Sequence, residues 1–307
     1  MTELIHFTIT DKTERLDRQV HARLPHLSRV QVQDLIKGGR VLVNGETAKP
    51  GHKFKGGELV RVEVPAPEPS TLQPEEMPLD VLYDDEHIIV LNKPAGLVVH
   101  PGTGNFSGTL VHGLLAKYPD LAELAEEDDE NDDRVGIVHR LDKDTSGLMV
   151  IARTMEALRA LNQQFMERTV DKQYIAMTER VPRTLTGLID APIARDPRNR
   201  KRMAVQANGR PAQTQYEVYD VDFTGGQALL RLKLFTGRTH QIRVHLAFIG
   251  APVVGDALYG FRKRRIALDR HFLHAAELAF DHPAAGQRLT FHAPLPPELE
   301  KVIAELR

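Results

Sequence analysis

Cysteine is absent from the 307 residues, and with it go disulfide frameworks, thiolate nucleophiles and sulfur-ligated zinc sites. The chain must be held by apolar burial instead, for which its length is ample. No stretch approaches the ~20 successive apolar residues of a membrane span. The first seven residues, MTELIHF, lack the basic-then-apolar pattern of a secretory leader. A soluble protein of a reducing compartment, the cytoplasm, is expected. Gly102 and Gly104 are not followed by the G-K-[ST] of a phosphate loop, so that reading is rejected. His240 and His245 stand five apart, off the i, i+4 pairing of a helical metal site. They are expected to make structural hydrogen bonds, and no metal is expected. No serine stands in a nucleophile elbow, which sets a hydrolase using Asp142 with His139 far behind. A large net charge is also missing, since the balance is −2. That is weak evidence against a polyanionic partner until its distribution is considered.

The distribution is uneven. Between positions 14 and 64, ten Lys or Arg oppose six Asp or Glu. Leu16, Val20 and Leu24 recur at fourfold spacing and predict a helix over 15–24; Ser28 is an apt N-cap for a second helix with Val32, Leu35 and Ile36 inward, closed by Gly38 and Gly39. Residues 40–45 (RVLVNG) predict a strand entering an Asn-Gly turn, and 58–64 (ELVRVEV) its alternating partner. Residues 65–78 hold five prolines and read as an extended linker. The expected organisation is therefore 1–64 as a small basic module, 65–78 as linker and 79–307 as the main domain.

Within the main domain, 136–141 (GIVHRL) and 148–152 (LMVIA) are apolar runs flanking 142–147 (DKDTSG), which predicts two buried strands joined by a tight turn. Asp142 then sits at a rim, on the same face as Arg140. One reading makes Asp142 a turn cap or the partner of Lys143; the other makes it a reactive carboxylate. Residues 154–168 predict an amphipathic helix capped by Thr154, and Tyr174 lies on a strand where a tyrosine usually serves the core. Five cations crowd 195–202 between strand-like runs, which describes either a basic hairpin reaching for a nucleic-acid groove or a solubilising loop. A second basic cluster occupies 262–265. Thr239 and Gly250 bracket a helix over 240–249. Arg243 in its first turn opposes the helix dipole, which hints at a carboxylate partner elsewhere. Nine acids and no base fill 120–133, the pattern of a solvated loop.

Two resemblances join these pieces. Arg15-Leu-Asp17, Leu24-Pro25, Leu27-Ser-Arg29, Ile36, Gly39, the run 41–45 and Gly57 resemble an S4-type RNA-binding domain, which implies phosphate contacts from Arg29, Lys37 and Arg40; a merely solvated basic face is the alternative. Residues 139–147 (HRLDKDTSG), 172–174 (KQY) and 237–245 (GRTHQIRVH), in that order, resemble the RluA-type pseudouridine synthases, over nearly the whole chain. The implied fold is α+β: a mixed, mainly antiparallel sheet with flanking helices, plus a small N-terminal S4-type α/β domain. The implied reaction converts a uridine in RNA to its C-glycoside isomer. Matched residue by residue, Asp142 is the catalytic carboxylate, Arg243 its ion-pair partner and Tyr174 the residue that stacks on the target base. Asp142 would either attack C1′ or take the C2′ proton, and the sequence leaves both open. Arg243 would offset the cost of burying that charge, which demotes Arg140 to a supporting or RNA-facing role. Arg198, Arg200, Lys201 and Arg202 on the basic hairpin, with Arg238, complete the expected RNA contacts. No cofactor is implied. The expected partner is ribosomal RNA of the large subunit (23S), free or in a pre-50S particle, met by a monomer. An RNA-binding assembly factor without turnover is the runner-up. The acidic block and the residues before Glu14 have no counterpart in the family pattern.

Overall fold

The computed structural model describes residues 3–9, 14–24, 27, 29–64, 72–102, 105–127, 135–199, 201–221, 223–261 and 266–307. They fall into two compact units, Met1–Gln73 with Ala125–Asp133, and Pro74–Leu124 with Arg134–Arg307.

In the first unit, β1 (Glu3–Thr8), α1 (Leu16–Arg23), α2 (Arg29–Lys37), β2 (Val41–Val43), β3 (Glu46–Thr47) and β4 (Leu59–Val64) follow in sequence. The strands form an antiparallel sheet in the order β1-β4-β2-β3. Asn44 and Gly45 both take positive φ, the conformation an Asn-Gly hairpin turn demands. Leu16, Val20, Val32 and Ile36 bury their apolar faces on Val41, Val60 and Val62 of the sheet. Strand β1 has no counterpart in the sequence reading. The expected cap Ser28 lies outside the described residues.

The second unit runs β5 (Asp80–Asp84), β6 (Ile88–Lys93), α3 (Leu110–Lys117), α4 (Leu121–Glu127), β7 (Ser146–Ala152), α5 (Met155–Glu167), β8 (Asp171–Thr178), β9 (Thr186–Asp190), β10 (Ile193–Arg195), β11 (Met203–Val205), β12 (Gln213–Asp220), β13 (Ala228–Leu234), α6 (Gln241–Phe248), β14 (Leu273–Asp281), β15 (Arg288–His292) and α7 (Pro297–Leu306). Its nine-stranded sheet has the order β5-β6-β7-β14-β8-β13-β12-β9, with β15 also on β14. Every pairing is antiparallel except the short β7–β14 contact, so the mixed, mainly antiparallel sheet expected of this chain is present. Strand β7 is buried along its whole length, as a central strand covered on both faces must be. Hairpin β10–β11 stands as a separate two-stranded ribbon carrying the basic tip.

Three local expectations need correction. Residues 136–141 are not a strand: one bridge, Ile137 to Ile151, is all that forms. The hydrogen bond a ladder would have supplied to Val150 N comes instead from the His139 ring, whose Nε2 accepts it at 3.1 Å. The first half of the acidic block is helix α4 rather than a solvated loop, because Leu121 and Leu124, one turn apart, are both buried. The N-cap of α6 is His240 rather than Thr239, and it adopts φ 57°.

Candidate active site

The turn that carries Asp142 is fastened from three directions. Thr145 N donates to Asp142 O at 3.0 Å and Gly96 N to Lys143 O at 2.9 Å. Lys93 is wholly buried, and its ammonium donates to the carbonyls of Pro94, Leu97 and Lys143 at 2.8, 2.9 and 3.1 Å. Burial pulls that ammonium down to about 7, opposed by the charges of Asp142 and Asp144. Thr145 Oγ1 bonds His271 Nε2 at 2.7 Å, and Ser146 Oγ bonds His274 Nδ1 at 2.9 Å. Gly147, at φ 119°, lies so near β14 that a Cβ would fall 2.2 Å from Ala275 O. The Thr-Ser-Gly part of the turn is therefore a joint between β7 and β14, and the Asp at its head is left free to face the cavity.

Helix α6 brings the partner. Arg243 Nη1 donates to Asp142 Oδ2 at 2.9 Å, across 101 residues of chain. The other edge of the guanidinium is held in a fork by Asp256, with Nε to Oδ2 at 2.7 Å and Nη2 to Oδ1 at 3.0 Å. The side chain of Asp256 is fully buried and also accepts the backbone N–H groups of Leu258 and Tyr259. Burial works against the Arg243 charge, but Asp256 and then Asp142 more than restore it and hold the guanidinium above its usual range. Burial likewise opposes ionisation of Asp256, and the Arg243 contacts outweigh it, leaving its carboxyl below the ordinary value. Asp256 thus fixes the aim of Arg243, and Arg243 fixes the aim of Asp142.

Tyr259 closes the back of this group. Its ring lies under both Arg243 and Arg202, at 5.2 and 5.1 Å from the guanidinium carbons. Its hydroxyl accepts from Met203 N at 2.7 Å and shares a 2.8 Å hydrogen bond with His240 Nδ1. Burial lowers the His240 pKa against the pull of Asp142, so its ring is neutral at pH 7; Nε2 is 4.0 Å from Asp142 Oδ2. His245 bonds Thr214 Oγ1 and Ala191 O, both at 2.9 Å. Among the described residues no cluster of His, Asp or Glu has the arrangement of a metal site.

The site opens into a cavity of about 800 Å³. Tyr174 is buried in its wall; desolvation, then the charge of Asp142, raises its pKa well above that of a free phenol, so the hydroxyl keeps its proton. His139 is stacked on Phe165 at 4.8 Å, and burial then the Lys172 charge pull it down to about 3. Asp142 is the only carboxylate among the described residues that line the cavity, and six cations, Arg140, Arg168, Lys172, Arg210, Arg238 and Arg243, line it as well.

The structure thus gathers Asp142, Arg243, Tyr174, Arg140 and Arg238 at one cavity. Arg140 is exposed and points Nη1 to His100 Nε2 at 3.2 Å rather than to Asp142. Arg198 and Lys201 are exposed on the tip between β10 and β11, whereas Arg202 is half-buried over Tyr259 with its Nε lacking a hydrogen-bond partner. Lys37 and Arg40 are exposed and pair with Asp34 and Glu63, each at 3.3 Å. Arg200, the side chain of Arg29 and the cluster 262–265 lie outside the described residues. Asp256 and Tyr259 were missed by sequence reasoning. Their signal was the turn-like Gly255-Asp-Ala-Leu-Tyr-Gly260, in which an Asp is easily taken for a turn former.

Comparison with known proteins identifies the family. Residues 87–248 match the RNA pseudouridylate synthase family model, and residues 14–60 match the S4 domain. The chain is 49% identical over 298 residues to an uncharacterized RNA pseudouridine synthase of Chloroflexus aurantiacus, covering 97% of this chain and 92% of that one. It is 44% identical to the ribosomal large subunit pseudouridine synthase D of Xanthomonas campestris, covering 95% and 89%. Among solved structures, human RNA pseudouridylate synthase domain containing 1 superposes with a TM-score of 0.59 at 26% identity, covering 73% of this chain and 87% of that one. The chain belongs to the RNA pseudouridine synthase family and carries an N-terminal S4 domain.

Proposed function

We propose that this pseudouridine synthase isomerises uridine in bacterial large-subunit ribosomal RNA, with Asp142 as the catalytic carboxylate. The observation that carries the assignment is the Asp142–Arg243 ion pair at 2.9 Å in a cavity walled by Tyr174. Isomerisation breaks the N1–C1′ bond, joins C5 to C1′, removes the proton from C5 and returns one to N1. No electron or phosphoryl group moves. The reaction needs an anion beside the sugar and a surface that keeps the detached uracil from leaving. Asp142 is the anion, attacking C1′ or removing the C2′ proton. Arg243 holds it in place, and its own fork to Asp256 keeps that geometry from relaxing during turnover. Tyr174 offers an aromatic face against which the base can turn, a contact worth about 1–3 kcal/mol per base.

The target uridine must leave its stack to reach a carboxylate set inside the cavity. The basic β10–β11 tip, with Arg198, Arg200, Lys201 and Arg202, prises the RNA, and Arg238 and Arg140 receive it at the rim. Residues 1–64, with Arg29, Lys37 and Arg40, form the module that selects the RNA, residues 65–78 are the linker, and 79–307 are the catalytic domain. The target on ribosomal RNA is supported by the relatives from Xanthomonas and from Escherichia coli, both named ribosomal large subunit pseudouridine synthase D, the latter 41% identical. The enzyme works as a monomer in the cytoplasm, on free 23S RNA or a pre-50S particle. The test is to map pseudouridines in ribosomal RNA from cells with and without the gene, and with Asp142→Asn. Loss of one or more large-subunit pseudouridines in both altered strains is expected; an unchanged map would sink the proposal.

A further inference from the structure

Six cations around one carboxylate is more positive charge than Asp142 can balance, and only Arg243 is committed to it. Arg140 points toward His100. The remaining four, Arg168, Lys172, Arg210 and Arg238, come from separate elements: the end of α5, β8, the turn before β12 and the turn before α6. Arg168 and Arg210 are exposed, and among the described residues neither has a carboxylate partner. Arg238 donates Nε to Pro211 O at 3.1 Å, which leaves its other nitrogens for a ligand and sets it next to Arg210. Lys172 is buried, and its ammonium sits 5.0 Å from the Phe165 ring centroid with no carboxylate at ion-pair distance among the described residues.

Two further facts mark the group as more than a solvated rim. Burial, then the charges of Arg210 and Arg168, pull the Arg238 guanidinium below its usual range, so these arginines are near enough to repel one another. Arg168 also occupies a left-handed C-cap, at φ 63°, where glycine or asparagine would be the unstrained choice. A large cation is held there at a backbone cost of about 1 kcal/mol or more. A bound anion would offset the mutual repulsion.

We infer that Arg168, Arg210 and Arg238, backed by Lys172, form a phosphodiester subsite that grips the RNA backbone beside the flipped uridine. The inference rests on the proposed RNA-modifying function and adds to it the residues that hold the nucleotide in register with Asp142. Backbone phosphate is the chemistry that fits: it is anionic, it is offered on both sides of any extruded nucleotide, and planar guanidinium forks match its oxygens. A base edge would call for acceptors and donors in alternation, whereas these four side chains only donate.

The experiment uses full-length protein carrying Asp142→Asn, so that binding is measured without turnover, and an oligoribonucleotide containing a uridine that the wild-type protein isomerises. Arg168→Gln and Arg210→Gln are each expected to raise Kd about fivefold at ~0.1 M salt, and to flatten the log Kd against log salt line by roughly 0.7 per lost phosphate contact. Arg168→Lys and Arg210→Lys should recover most of the affinity. A single neutral methylphosphonate linkage beside the uridine should weaken the parent but not the Gln variants. With Asp142 intact, the turnover lost in the Gln variants should fall on KM more than on kcat. Unchanged Kd and salt slope in the Gln variants, or Lys variants as weak as the Gln variants, would overturn the subsite. Failure of the wild-type protein to isomerise any uridine would instead overturn the functional reading beneath it.

Discussion

The two units handle positive charge in opposite ways. In the first, four of the exposed cations are answered by a nearby carboxylate: Arg15 by Asp17, Arg18 by Glu14, Lys37 by Asp34, Arg40 by Glu63. In the second, the cavity gathers six cations from distant parts of the chain against a single carboxylate. The stretch that looks basic in sequence is therefore partly neutralised in space, and the cavity draws its cations from stretches that do not look basic. Surface pairs of the first kind contribute about 0–1 kcal/mol each, whereas the buried Arg243 and Lys172 act through a lower dielectric. Binding breadth suits the first unit, and chemistry requires the second.

That contrast is tested most severely at its centre. Asp142→Asn keeps the shape and removes the charge, and it should lower turnover by about 10⁴-fold while RNA binding survives, as read by conversion of uridine in a defined RNA and by direct titration. Activity within tenfold of wild type would move the catalytic role elsewhere. One step outward, Asp256→Ala should cost about 3–5 kcal/mol of stability, because it leaves Arg243 buried with half its fork unanswered. Denaturant unfolding measures the loss, and a change under about 1 kcal/mol would mean that Asp142 alone suffices to hold Arg243.

Acid should act on the second unit through its buried histidines. Burial, then the Arg243 charge, depresses His271 from its ordinary value to about 4. Between pH 6.5 and about 4 the unfolded chain takes up a proton that the native ring refuses, so stability is full above pH 6.5 and declines as pH falls through that window. The contribution is on the order of 3 kcal/mol. His271→Gln, which retains a partner for Thr145, should flatten the dependence of melting temperature on pH; an unaltered slope would assign the acid sensitivity to other groups. The smallest effects belong to the first unit. Lys37→Gln or Arg40→Gln should change Kd for RNA by less than about twofold each, since each cation already has a partner at 3.3 Å. A loss as large as that of the cavity arginines would erase the distinction between the units.

Much of this was legible before the structure. The amphipathic helix that became α5, the alternating strand that became β13, the Asn-Gly hairpin and the basic ribbon all follow from periodicity and turn chemistry, which are local properties. Residues 136–141 were misread because an apolar run matches a buried strand as well as a cavity wall, and only the His139 bond to Val150 distinguishes them. The first half of the acidic block was misread because its charge concealed two leucines one turn apart, while residues 128–133 lie outside the described residues.

By itself the sequence determined the segments and their order: which stretches coil, which extend, and which three short motifs bear an Asp, a Tyr and an Arg of the kind this chemistry uses. Local sterics and apolar periodicity act over a few residues, so they are written in a few residues. The tertiary structure alone decided that Arg243 faces Asp142 across 101 positions, that a buried Asp256 stands behind it, and that cations from four elements share one cavity. Coulomb energy depends on distance in space and on burial, and neither can be read from spacing along the chain.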